Sequence, residues 1–209
     1  MRHQEFLYEL LMTPSLSGHE EEIQQKTLDN MADICDLQQV DGTGNVIHRI
    51  HPEADFTVLL MGHIDEIGFL VTHIDERGMI KVMKNGGVRT GLYVGSPVQI
   101  IHRGQKVSGV VAVEDSLLKA DKVDAADLTI DIGASSEEQA RELVSVGDPV
   151  CADTGIHELL NDNFAARAMD DRTGAFVVLE ALRIAREKGA SIGVAAARCS
   201  APPPLSTKT

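Results

Sequence analysis

The chain has no tryptophan, two tyrosines and five phenylalanines among its 209 residues, so aliphatic side chains and not large aromatic rings must fill its core. Its three cysteines, Cys35, Cys151 and Cys199, are widely spaced and contain no Cys-x-x-Cys pair. That usage gives neither a disulfide framework nor a structural zinc site, and it fits a reducing cytoplasm. No apolar run approaches the roughly 20 residues of a membrane-spanning helix. The opening stretch from Met1 to Leu11 carries Glu5 and Glu9 among its apolar positions and reads as an amphipathic helix, not a signal peptide. Positive charge is scarce: 19 Lys and Arg against 32 Asp and Glu leave a net charge of −13. With no basic patch in the sequence, nucleic acid and anionic membrane are excluded as expected partners.

What is present centres on two segments far apart in the chain, Gly62-His63-Ile64-Asp65-Glu66-Ile67-Gly68-Phe69 and Ala168-Met169-Asp170-Asp171-Arg172-Thr173-Gly174. The apolar run from Phe56 to Met61 reads as a buried strand that delivers His63 and Asp65 at its C-terminal end, where open α/β sheets place their ligands. Side chains alternate along a strand, so His63 and Asp65 point one way and Glu66 the other. An imidazole that ligates a metal through one nitrogen usually donates its other N–H to a carboxylate, the role Asp65 is placed to fill. Ala175, Val178, Leu179, Leu182 and Ala185 share one face of a helix, which puts Asp170 and Asp171 at its N-terminus. Adjacent carboxylates repel, and a divalent cation is the usual compensation. Taken singly, each motif has a plainer reading: a satisfied His–Asp pair, and an N-cap facing the helix dipole. Taken together they indicate a hydrolytic metal site.

Five blocks, in order, resemble the tetrahedral aminopeptidases, the glutamyl and leucyl aminopeptidases with two co-catalytic metals. They are the two segments above, Thr13-Pro14-Ser15-Leu16-Ser17-Gly18-His19-Glu20-Glu21-Glu22, Ile130-Asp131-Ile132-Gly133-Ala134-Ser135-Ser136 and Val146-Gly147-Asp148-Pro149-Val150. The resemblance covers the chain to about Ala190. It implies a three-layer α/β zinc-exopeptidase-like catalytic domain, incomplete here, with an inserted β-barrel-like domain. It also implies that His63 ligates one metal, that Asp65 orients it, and that Asp170 bridges both metals and is joined to Asp171 by a cis peptide. The cofactors implied are two divalent ions, zinc or cobalt with manganese as a third candidate, about 3.5–4 Å apart. Peptides are the implied substrates, and the insert is implied to build dimers that assemble into a dodecamer.

The family pattern continues past this helix with a buried strand, a Glu-Glu pair that includes the general base, and later an aspartate and a histidine. After Glu187 this sequence has no acidic residue, and Pro202-Pro203-Pro204 excludes helix and central strand. The expectation is therefore a truncation or frameshift after about Ala190; the alternative is a natural polar tail. The 209-residue polypeptide is then expected to hold metal weakly, to hydrolyse little, and to leave Val177, Leu179 and Leu182 uncovered.

The expected organisation is 1–67 as the first part of the catalytic domain, 68–156 as the β-rich dimerisation insert, 157–190 as the second catalytic part, and 191–209 as an aberrant Pro/Ala-rich tail. A strand near Asn45 to Ile50 joins the catalytic part. Strands are expected in the insert at Phe69 to Ile74, Val98 to His102, Val107 to Val113 and Leu128 to Ile132, with a helix from Glu137 to Val144 capped by Ser135 or Ser136. His73-Ile74-Asp75-Glu76 echoes the first motif, but Glu76-Arg77-Gly78 reads as a hairpin turn. His19 beside three glutamates reads as a helix start, and His3, His48, His51, His102 and His157 have no partner at ligand spacing. Two rivals to the aminopeptidase are a non-catalytic oligomerisation partner that uses the insert alone, and a glycan hydrolase, which needs two carboxylates about 5–9.5 Å apart.

Overall fold

A computed structural model of the chain describes residues 4–199, the last three by their backbone. In chain order the elements are α1 (Gln4–Met12), α2 (Glu21–Met31), β1 (Leu37–Val40), β2 (Val46–Ile50), β3 (Thr57–His63), β4 (Gly68–Ile74), β5 (Ile80–Asn85), β6 (Pro97–His102), β7 (Gln105–Val111), α3 (Asp115–Leu118), β8 (Thr129–Asp131), α4 (Glu137–Arg141), β9 (Pro149–Ala152), β10 (His157–Glu158), β11 (Phe164–Ala165), α5 (Met169–Glu187) and β12 (Gly193–Cys199). They form two compact units, one of residues 67–155 and one of the residues on either side. Among the described residues no helix is long and apolar enough to cross a membrane.

The α/β unit holds a four-stranded sheet in the order β1-β2-β12-β3. β12 runs antiparallel to β2 and parallel to β3, and the register aligns Ile50, Val194 and Val58, then His48, Ala196 and Leu60. Because alternate residues face opposite sides, these form one face of the sheet. Phe6, Leu10 and Leu11 of α1, Ile23 and Met31 of α2, and Ala175, Leu179 and Leu182 of α5 share a core with Ile50, Val194 and Ala196 of that face. The 3.6-residue spacing of the apolar positions in α5 is what turns them together toward the sheet.

Three expectations change here. The run from Phe56 to Met61 is not a buried strand: β3 ends the sheet, and Phe56, Leu59 and Met61 are 63%, 55% and 58% exposed, because no described element covers the second face. Leu179 and Leu182 are fully buried by α1, α2 and the sheet, and of the three residues expected to be bare only Val177 is exposed. The change of texture expected at Ser191 is not a change of structure over Gly193–Cys199, which forms β12 inside the sheet. Its glycine and alanines carry little of the β-branched signal that marks a strand in sequence, and pairing on both edges compensates. The three prolines of the tail lie outside the described residues.

The second unit is a closed barrel, β4-β5-β8-β7-β6-β9, of antiparallel pairs filled by Phe69, Val71, Ile80, Val98, Ile100, Val111, Ile130 and Val150. The hairpin at Glu76-Arg77-Gly78 is a turn, with the Asp75 carboxylate accepting the backbone N–H of Arg77 and of Met79. Ser136 caps α4 by accepting the Gln139 N–H.

Candidate active site

The site lies in the α/β unit, where the C-terminal end of β3 meets the first turn of α5. Two close approaches make the meeting possible. A Cβ on Gly62 would stand 2.9 Å from the backbone nitrogen of Ala175, so only glycine lets α5 come this near the strand. A Cβ on Gly174 would overlap the carboxylate of Asp171, which folds back over the helix. The peptide between Asp170 and Asp171 is cis, and both residues depart from helical dihedrals, as does Ala168, whose φ of 54° is left-handed.

The strand ends at His63, yet the alternation continues long enough to sort the side chains. His63 Nδ1 is 3.1 Å from Asp65 Oδ1, and His63 Nε2 is 3.2 Å from Asp170 Oδ1. Asp65 is almost fully buried, and its other oxygen accepts the hydroxyl of Ser17. Ser17 therefore acts through Asp65 and is not the cap of α2, whose N-cap position is Glu20 with no side-chain cap. The Asp170 side chain is 96% exposed and the His63 ring 42%, so the imidazole faces solvent on the Asp170 side and protein on the Asp65 side.

Beneath this pair lies a buried polar cluster that the sequence did not reveal. Arg172 is fully buried, and its guanidinium donates to the carbonyls of Leu10, Leu11 and Ile64, the hydroxyl of Ser15 and the carboxylate of Glu66. Glu66 also accepts from Arg167 and from the Ser15 N–H. Burial alone would push the Glu66 carboxyl up; the charges of Arg172 and Arg167 and these hydrogen bonds overcome it and hold Glu66 below its usual range. Arg172 thus ties the turn carrying Asp170 to the chain between His63 and Asp65. Its partners are mostly carbonyls, which leave no trace in residue type; the signal available was its place in the Asp170-Asp171-Arg172 block.

The donor chemistry suits a divalent cation. Two donors each roughly 2.0–2.2 Å from one ion at a tetrahedral angle are about 3.4 Å apart, close to the separation of His63 Nε2 and Asp170 Oδ1. Among the described residues no group of three or more His, Cys, Asp or Glu is placed to hold a metal. His73 sits on the barrel hairpin, and His102 pairs with Asp148 at 2.8 Å, a partner 46 residues away that local spacing could not show.

The profile of the M42 glutamyl aminopeptidases matches residues 44–199. The chain belongs to this family. M42 enzymes are metallopeptidases. The chain is 32% identical over 168 residues to a putative aminopeptidase of Acetivibrio thermocellus, a match covering 80% of this chain and 49% of that protein. The crystal structure of a TET aminopeptidase from a marine-sediment Thaumarchaeota archaeon superposes with a TM-score of 0.87 at 30% identity, over 96% of this chain and 59% of that one. The TET1 peptidase of Pyrococcus horikoshii, which assembles into a tetrahedron or a large octahedral shell, gives a TM-score of 0.84 at 30% identity, over 94% of this chain and 60% of that one. The chain spans about half the length of the curated M42 relatives it matches.

Proposed function

We propose that this chain carries the first part of the active site of a metal-dependent aminopeptidase that removes N-terminal residues from peptides. His63 and Asp170 hold the ions, and Asp65 is the carboxylate that orients the imidazole. The observation that carries this reading is the His63 ring itself, with a buried carboxylate on Nδ1 and an exposed one on Nε2. By accepting the Nδ1–H, Asp65 keeps the lone pair on Nε2 and aims it at the Asp170 carboxylate. Ser17 fixes the second oxygen of Asp65, and Arg172 fixes the turn that presents Asp170. Bound there, a divalent cation would supply Lewis acidity toward a peptide carbonyl and would lower the pKa of a water.

In this reading two ions, zinc or cobalt or manganese, would be held by His63 and Asp170, and the 209-residue polypeptide would hold them weakly, since catalytic zinc sites use three protein ligands. The barrel unit serves homo-oligomerisation, by likeness to the shell-forming TET1 peptidase. Free Cys35 and buried Cys151 are consistent with a reducing cytoplasm.

Hydrolysis of amino-acyl anilides tests the reading. With cobalt or zinc, the 209-residue polypeptide is expected to match a metal-only blank. A fusion that continues after Cys199 with the corresponding C-terminal part of the Acetivibrio thermocellus relative is expected to show metal-dependent hydrolysis that His63→Ala and Asp170→Ala abolish. Hydrolysis by the fusion that survives either substitution overturns the assignment.

A further inference from the structure

On the barrel unit, the 3-10 turn Thr90–Tyr93 and the segment running from α3 to Val123 enclose a groove of about 580 Å³. Thr90, itself buried, ties the two walls by donating its hydroxyl to the carbonyl of Val123. The groove is floored by aliphatic side chains continuous with the barrel core, Val88, Val94, Leu117 and Val123. Leu92 and Leu118 stand at its lips, 75% and 64% exposed, which is unusual for leucines flanking a concavity unless something apolar enters it.

Charge gives the groove its selectivity. Lys84, Arg89 and Lys122 line it against a single carboxylate, Asp121; Lys84 and Arg89 are exposed, and among the described residues neither is within ion-pair distance of a carboxylate. Lys122, the third cation of the lining, is already paired with Asp124 at 3.0 Å, which leaves Lys84 and Arg89 as the cations open to an occupant. In a chain with a net charge of −13, two unpaired cations beside an apolar groove are a local reversal of sign. An occupant must offer carboxylates to Lys84 and Arg89 and an aliphatic side chain to the floor. Nucleic acid fits poorly, because no aromatic side chain lines the groove to stack on a base.

We propose that this groove is a binding site for acidic peptides bearing aliphatic residues, held by Lys84 and Arg89 at the rim, by Leu118 at the lip and by Val88 and Val94 within. It is independent of the hydrolase reading, because every residue involved belongs to the barrel unit.

Fluorescence anisotropy of a labelled peptide of alternating Glu and Leu, titrated with the 209-residue chain, tests it. Saturable binding is expected, weakened several-fold when salt is raised from about 20 to 200 mM. The double substitution Lys84→Glu with Arg89→Glu should raise Kd by about tenfold or more. Lys84→Gln with Arg89→Gln should give a smaller loss in the same direction, and Leu118→Ser should weaken binding without changing the salt dependence. All three positions are exposed, and circular dichroism checks that the variants keep the wild-type fold. An unchanged Kd in both charge variants overturns the proposal, as does equal or tighter binding of a Lys/Leu peptide or of a single-stranded oligonucleotide.

Discussion

The barrel closes on itself, whereas the sheet that carries His63 stops, among the described residues, at a strand with one edge unpaired. In the barrel every strand has two neighbours and the apolar side chains turn inward, leaving no strand at a sheet edge. In the α/β unit the described helices cover one face of β3, and Leu59 and Met61 remain bare on the other. The barrel is held by its topology. The α/β unit, lacking that closure, holds its site together through one buried ion cluster around Arg172. The two regions should therefore fail under different perturbations, and the two tyrosines report on them separately: Tyr8 packs against Phe164 in the α/β unit and Tyr93 against Phe69 in the barrel.

The largest expected effect follows from Arg172→Met. It strips Glu66 of one guanidinium and leaves the carbonyls of Leu10, Leu11 and Ile64 short of a donor, at about 3–5 kcal/mol. Denaturant unfolding followed by the NMR signals of both tyrosines should show the Tyr8 transition move to lower denaturant while the Tyr93 transition stays. Simultaneous loss of both would dissolve the distinction between the units.

Leu182→Ala, which hollows the core under α5, is expected to cost about 2–5 kcal/mol in the same transition, whereas Leu59→Ser on the uncovered face should change stability by about 0.5 kcal/mol or less. The serine should also reduce self-association through the open strand. A large penalty at Leu59 would mean that this face is covered in solution.

Acid gives a gentler version of the first test. Glu66 has its pKa depressed in the folded state, so its contribution is full above the ordinary carboxylate value of 4.5 and is lost as pH falls through the lower folded value. Tyr8 should report weakening below about pH 4.5, and the Arg172→Met variant should show a smaller dependence there.

Much of this arrangement was legible in the sequence. The period-2 runs of the barrel, the amphipathic face of α5 and the pairing of His63 with Asp65 all depend on local spacing, and local spacing is what a sequence displays. What escaped depends on distant partners. Nothing in the run from Phe56 to Met61 says that β3 has no second neighbour among the described residues, since burial is decided by what packs against a strand. β12 is made of residues too small to announce a strand and acquires its place from β2 and β3. Arg172 reads as one more cation in an acidic block until Leu10, Leu11 and Ile64 are brought beside it.

The central claim is that His63 and Asp170 share a divalent cation, and paramagnetic NMR reads such a site even when it binds weakly. Manganese titrated into the polypeptide is expected to broaden the ring signals of His63 and the amides from Ala168 to Thr173 first, to leave His73 and His102 sharp, and to lose that selectivity in Asp170→Asn. Broadening that spares His63, or that persists unchanged at His63 in Asp170→Asn, would contradict the account.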